Sequence, residues 1–350
     1  MTIIYILVAV LIFGIIVLIH EFGHFAVAKW CGIKVNEFSI GMGPKLVSIK
    51  KGETAYSIRM LPLGGFVSME GEDDSSSDPR AFRAKKVWQR LLVVLAGAFM
   101  NLVLGMVVLI ILTSCQESVI STTVADFYEG AVSSQSGLQA GDKITKVNGM
   151  RIYTDTDISY QFQRDIDFTF EMEVLRNGEK VVLPAVKFDS NTYPDGTTSL
   201  IIDFRVVGEK VNLGSVLSYS GRKFCSVARM IWISLADLIK GNVSVNDLSG
   251  PVGIVGAIGE VVGSTQQGIP FGEMLANLAS FVVFITINVG IFNLLPVPAL
   301  DGSRAVFLII EGIRRKPLKP EVEGIIHLVG MGALVLLFIV VTVSDIGKLF

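Results

Sequence analysis

"ILVAVLIFGIIVLIHEFGH", residues 6–24, starts as a membrane span and ends as something else. Residues 3–19 carry no charged side chain, which reads as a helix built to cross a bilayer. His20, Glu21 and His24 follow without a break. Ionisable groups at membrane depth are costly and functional by default. The four-residue spacing puts His20 and His24 on one helix face. Two imidazoles there can chelate one zinc ion. Glu21, beside them, is placed to act as a base on water rather than to ligate. The plainer reading is a polar helix end whose histidines bond to neighbours at the interface.

The rest of the chain agrees with a membrane setting. It has 350 residues, 51% hydrophobic and 18% charged, too apolar for an ordinary soluble domain. Stretches near 2–28, 87–113, 271–297 and 325–347 are long and apolar enough to span. The expected fold is therefore a polytopic α-helical membrane protein with four transmembrane helices. A net charge of −2 gives no argument for a nucleic-acid partner, and the lipid bilayer is the implied one. Cys31, Cys115 and Cys225 are scattered and read as packing residues. No basic segment precedes the first span and no small-residue cleavage site follows it, so it does not read as a cleavable signal peptide.

Lys and Arg set the expected orientation. Residues 29–90 carry many, among them Lys34, Lys51, Arg59 and Lys86, and 298–324 carry Arg304, Arg314, Arg315, Lys316 and Lys319. Both loops should be cytoplasmic and the 114–270 segment extracytoplasmic. Residues 29–86, with "PLGGFVSM" too apolar for a free loop, suggest strands and a hairpin dipping toward the membrane, or a small cytoplasmic sheet. "EGEDDSSSDPR" (70–80) reads as a polar linker. Residues 118–207 alternate β-like runs and turns, a small domain of strands with one or two helices, and "RNGE" signals a hairpin. Residues 208–270 hold an amphipathic stretch, expected on the membrane surface, and the glycine-rich "LSGPVGIVGAIGEVVG" (248–263).

Two histidines do not complete a catalytic zinc site, which usually has three protein ligands. His327, at the start of the last span, is one candidate; a membrane-interface role is the reading preferred for it. Asp301 is the better candidate. Prolines in "NLLPVPALDG" (293–302) end the third span and turn the chain, leaving Asp301 on the membrane side of the histidines. Without the first motif, the preferred reading of Asp301 would be the cap of the next helix. Asn288 and Asn293 could bind an extended peptide backbone or hydrogen-bond between helices.

HEFGH in the first span, "NLLPVPALDG" in the third and one soluble insert resemble the site-2 protease family of intramembrane zinc metalloproteases. "GLQAGDKITKVNG" (137–149) is similar to the core of a PDZ domain. "NEFSIGMGPKL", "PLGGFVSMEGED" and "GNVSVNDLSGPVGIV" (241–255) resemble the bacterial RseP-like branch, here with a single PDZ domain. The resemblance covers nearly the whole chain. It implies His20, His24 and Asp301 as Zn2+ ligands, Glu21 as catalytic base, and Asn288 and Asn293 as substrate-binding residues. Two positions depart from the family pattern. Ala98 follows Gly97 where proline is common, and Ser303 follows LDG where glycine is common.

The expected activity is hydrolysis of peptide bonds in transmembrane segments of single-pass proteins in the bacterial cytoplasmic (inner) membrane. Anti-sigma factors and remnant signal peptides are the implied substrates, with a possible upstream site-1 protease acting on the same chain. Strands within 38–72, Ile58 among them, would hold the unwound substrate by β-addition. The alternatives are a non-catalytic PDZ membrane scaffold and a zinc-handling membrane protein. Neither has a use for a base between its ligands.

Overall fold

A computed structural model describes residues 2–72, 76–165, 167–192, 198–242, 248–316 and 320–348. The centre of the 70–80 linker, residues 243–247 of the 241–255 motif, and Lys319 lie outside the described residues. The chain forms two compact units, residues 1–108 with 234–350, and residues 109–233.

The first unit is helical with one sheet. Its elements are α1 (Thr2–Trp30), β1 (Val35–Lys51), β2 (Thr54–Met69) and the greater part of α2 (Val87–Ser114). Among the described residues, four helices are long and apolar enough to cross a membrane: α1, α2, and the two ending near 293 and 347. Lipid gives packed helices no hydrophobic drive, so small residues set where they meet. A side chain at Gly23 of α1 would run into the Ala96 backbone of α2. A side chain at Gly105 of α2 would meet Ile287, 2.6 Å away, and one at Gly290 would meet Leu102 and the Ala98 carbonyl. α2 thus packs closely on α1 and on the third span.

β1 and β2 pair antiparallel, but each is bent, and residues 37–40 have partners on both sides. On one side these are 65–68, and on the other 55–58, while 45–51 pair with 54–59. The sheet therefore runs in the order 65–69, 35–40, 54–59, 45–51. Ile58, expected as a donor to substrate, is interior: it is partnered by both Ile40 and Val47. Segments 65–69 and 45–51 are the two edges, and 65–69 has no second strand beside it among the described residues. Leu46, Val47, Ile49, Ile58 and Met60 are exposed apolar residues on the same sheet as Lys45, Lys50 and Arg59. A solvated loop would not carry such a patch. Glu37 ties the sheet together, accepting from Arg59 at 2.8 Å and pairing with Lys45 at 2.9 Å. Burial works to raise the Glu37 pKa, and hydrogen bonds from Lys45, Arg59 and Ser57 outweigh it, pulling it down to about 2.

The second unit holds β3 (Ser118–Phe127), α3 (Val132–Gln135), β4 (Lys143–Val147), β5 (Met150–Arg151), α4 (Asp155–Arg164), β6 (Thr169–Arg176), β7 (Glu179–Lys187), β8 (Ser190–Thr192), β9 (Thr198–Leu200) and β10 (Phe204–Lys210). One antiparallel sheet runs β10-β3-β4-β6-β7, with β5 on β4. Its core is built from Val124, Ile144, Val147, Phe162, Phe170 and Met172. The "RNGE" turn is as expected: Asn177 and Gly178 take φ of 52° and 88°, the two positive values a two-residue hairpin needs. Asp142, fully buried, pairs with Arg176 and accepts from the Gln139 N–H.

α5 (Leu213–Lys240) is the expected amphipathic helix. Within the second unit it is pinned to α4 by Tyr219 on Asp155 (2.8 Å), and by Ser226 and Arg229 on buried Asp157. Back in the first unit, α6 (Pro251–Gly263), α7 (Phe271–Asn293), α8 (Asp301–Arg314) and α9 (Pro320–Gly347) complete the chain. The 298–324 loop of the sequence reading is thus mostly helix, and the last span begins before residue 325. The glycines of "LSGPVG" have a physical reason. Asp345 of α9 accepts from the N–H groups of Gly250 and Gly253, each at 2.8 Å, capping α6 where a side chain would crowd the carboxylate.

Candidate metal centre

His20 and His24 lie one turn apart on α1, and α8 brings Asp301 against them. His20 Nε2 and His24 Nε2 are 3.2 Å apart. Asp301 Oδ2 is 3.1 Å from the first and 3.3 Å from the second. This is the only three-donor cluster of its kind among the described residues. Ligands at 2.0–2.1 Å around a tetrahedral zinc stand about 3.3–3.4 Å apart, so the triangle fits that ion. Asp301 Oδ2 is buried with no hydrogen bond to satisfy it. Three lone-pair donors turned on one another, one of them orphaned, call for a cation between them.

Backbone and glycine create the room. His24 Nδ1–H donates to the Val93 carbonyl at 2.8 Å, which leaves the Nε2 lone pair free for a metal. On α2, Gly97 lies against both imidazoles: a Cβ there would come 2.7 Å from His20 Nε2 and closer still to His24 Nε2. Asn101, one turn further and fully buried, has its amide 3.3 Å from His20 Nδ1.

Asp301 is held from three sides. Arg90 of α2 forms a two-pronged ion pair with Glu311 of α8, and Arg304 pairs with Glu72 after β2. Before Asp301 the chain turns through Val297–Pro298–Ala299–Leu300, closed by Leu300 N–H on the Val297 carbonyl at 3.1 Å. Pro298 and an Ala299 φ of 77° give this turn the type II pattern. Glycine is the usual residue at that position, and alanine costs about 1–2 kcal/mol there. Ser303 does not disturb the site; its hydroxyl donates to the Leu300 carbonyl at 2.8 Å. Ala98 is fully buried.

Glu21, Val67, Met69, Glu72, Val93 and Arg304 join the donors around a cavity of about 140 Å³. The edge strand is close to Glu21: a Cβ on Gly65 would lie 3.0 Å from its Cγ. His327 is not among the three donors; its Nδ1 accepts from the Ala299 N–H at 3.1 Å. Asn288 and Asn293 are half-buried on α7 and are not among the cavity walls. The sequence reading gave no site role to Val93, Asn101, Glu72 or Arg304, although Glu72 stood in the quoted "PLGGFVSMEGED" and Arg304 among the basic residues of 298–324.

A glutamate between paired histidines, a carboxylate closing a donor triangle with them and helices of membrane length are the makings of a membrane metallopeptidase. Residues 8–337 match peptidase family M50, and the chain belongs to that family. It is similar to a protein of Clostridium acetobutylicum, with 35% identity over 97% of each chain. It is also similar to the zinc metalloprotease RasP of Shouchella clausii, 30% identical over 97% of this chain and 98% of the relative. The regulator of sigma-W protease RasP of Bacillus subtilis is 30% identical over the same shares.

Proposed function

We propose that the chain is an intramembrane endopeptidase of the site-2 type, cutting within the transmembrane segment of single-pass membrane proteins. That it is a multi-pass zinc metalloprotease follows from its family, its relatives and its apolar helices. The observation that carries the finer reading is the donor triangle beside Glu21 on a helix of membrane length.

His20, His24 and Asp301 would hold the zinc, which when bound supplies Lewis-acid activation of water and of the scissile carbonyl. Glu21 takes the proton of the attacking water and returns it to the leaving amine. A helical substrate hides its amides, so it must unwind to be cut. The open edge at 65–69, next to Glu21, supports capture of that extended segment by strand addition. Val67 and Met69 on that edge also line the cavity. The amides of Asn288 and Asn293 would serve the substrate backbone further along α7.

The insert reads as PDZ-like. A cleft of about 580 Å³ between α4 (Ser159, Phe162) and β9 (Thr198, Leu200) suits an extended peptide. The Lys/Arg distribution favours cytoplasmic loops at 29–86 and 298–324 and an extracytoplasmic insert, in a bacterial cytoplasmic membrane of the RseP-like kind. The Bacillus subtilis relative is named a regulator of sigma-W, which is in keeping with anti-sigma factors as substrates; an upstream protease that first shortens the same substrate is part of the proposal.

The test is Glu21→Gln in the full chain. Zinc content should stay at the parent's level while cleavage of a transmembrane peptide falls by about 10²–10⁴. Cleavage within a few-fold of the parent would overturn the assignment. A scaffold or zinc store would be indifferent to this substitution.

A further inference from the structure

His327 was singled out by the sequence as an alternative ligand, yet the donor triangle closes without it. What it does instead can be read from the turn beside it. In a type II turn the central N–H points out of the turn and is left without a partner inside it. Here that N–H belongs to Ala299, and His327 Nδ1 takes it at 3.1 Å. A backbone N–H can only donate, so Nδ1 must carry the lone pair, and the ring is the neutral Nε2–H tautomer. The ring is fixed from another side by Phe307 of α8, edge-on at 5.7 Å and 85°. One turn on, Gly330 lies against Pro298, where a Cβ would fall 2.8 Å from the Pro298 carbonyl carbon and oxygen. The same face of α9 therefore seats both central residues of the turn. The turn takes an unfavourable backbone angle at alanine, two residues before Asp301.

We propose that His327 is a positioning residue for the metal centre. Its imidazole holds the 297–300 turn in the one geometry that delivers the Asp301 carboxylate to His20 and His24. The inference rests on reading that cluster as the zinc site. A turn relaxed at Ala299 would move Asp301 off the triangle. α9 would then take part in the chemistry through a hydrogen bond to the main chain.

Zinc affinity of the full chain in lipid nanodiscs, measured by chelator competition, tests this together with the cobalt absorption spectrum. His327→Leu keeps the bulk but cannot accept, and should weaken zinc by about 10- to 100-fold, the usual range for groups that orient a ligand. His327→Asn offers an amide oxygen near the Nδ1 position and should bind zinc like the parent. Adding Ala299→Gly to His327→Leu should recover most of the affinity, since glycine takes positive φ freely and needs no prop. The cobalt bands should shift in His327→Leu and return in the double variant. A merely structural role would leave those bands alone and would not be rescued at residue 299. Parent-like affinity and spectrum in a folded His327→Leu would overturn the proposal while leaving the zinc site standing. Parent-like zinc binding by Asp301→Asn would overturn the site reading itself, and the proposal with it.

Discussion

The side-chain amide of Asn101 lies 3.3 Å from Nδ1 of His20, with its nitrogen toward the ring and its Oδ1 buried without a partner. The two ends of an amide are assigned by what they bond to. Exchanging them brings Oδ1 onto Nδ1–H, satisfies the orphaned oxygen and frees the His20 Nε2 lone pair for zinc. Asn101→Leu should therefore weaken zinc about 10- to 100-fold with the fold kept. Chelator competition measures it, and parent-like affinity in a folded variant would show that Asn101 does not orient the ring.

Gly97→Ala separates the helix from the site. Alanine favours a mid-helix position over glycine by about 1 kcal/mol, so α2 itself should not suffer. The added methyl would occupy the space of both imidazole Nε2 atoms. Metal analysis should find zinc lost from a protein whose thermal unfolding is no earlier than that of the metal-free parent. Retention of stoichiometric zinc would mean that α1 and α2 can part without cost.

Strand addition makes a prediction at residues 66 and 67. Backbone N–H groups alternate sides along a strand, so one of Phe66 and Val67 faces β1 and the other faces the open edge. Proline removes that donor. Of the two proline variants, one should loosen the sheet. The other should keep zinc and amide protection of β1 and lose cleavage. If the variant with the intact sheet cleaves at the parent's rate, substrate does not pair there.

Acid should loosen the sheet through Glu37. Its folded pKa, about 2, lies below the ordinary 4.5, so ionisation favours the folded sheet. That stabilisation is complete above about pH 4.5 and is lost as pH falls toward 2. Hydrogen-exchange protection at 35–59, taken relative to the intrinsic rate at each pH, should fall across that window in the parent and be already low, and flatter with pH, in Glu37→Gln. An unchanged pH profile in the variant would remove Glu37 from the account.

The heart of the site was legible because its residues were out of place. Two histidines and a glutamate are costly in an apolar helix, and their presence lifts Asp301, after a proline-broken one, above a mere helix cap. The Asn177–Gly178 turn was legible because its backbone angles leave few residues to choose from. What escaped the sequence was of another kind. Val93 contributes a carbonyl, which any residue could supply. Arg90 and Glu311 are far apart in the chain, and nothing local pairs them. Alternation in 38–72 told strand from helix but not that 37–40 would be flanked twice, because a face pattern does not fix partners. Asn288 and Asn293 sit on an apolar helix like the histidines, yet the cavity closes without them.

α9 is gripped near both of its ends and hardly at all between. His327 and Gly330 meet the turn, Asp345 meets α6, and the residues from Val335 to Val340 face outward, each 44% exposed or more. Lipid asks of that middle stretch its composition but not its spelling. Its letters are free to drift among apolar residues, while the few anchoring positions are not. A photoreactive or fluorescent side chain set at Leu336 would report on the surrounding bilayer with the catalytic apparatus undisturbed.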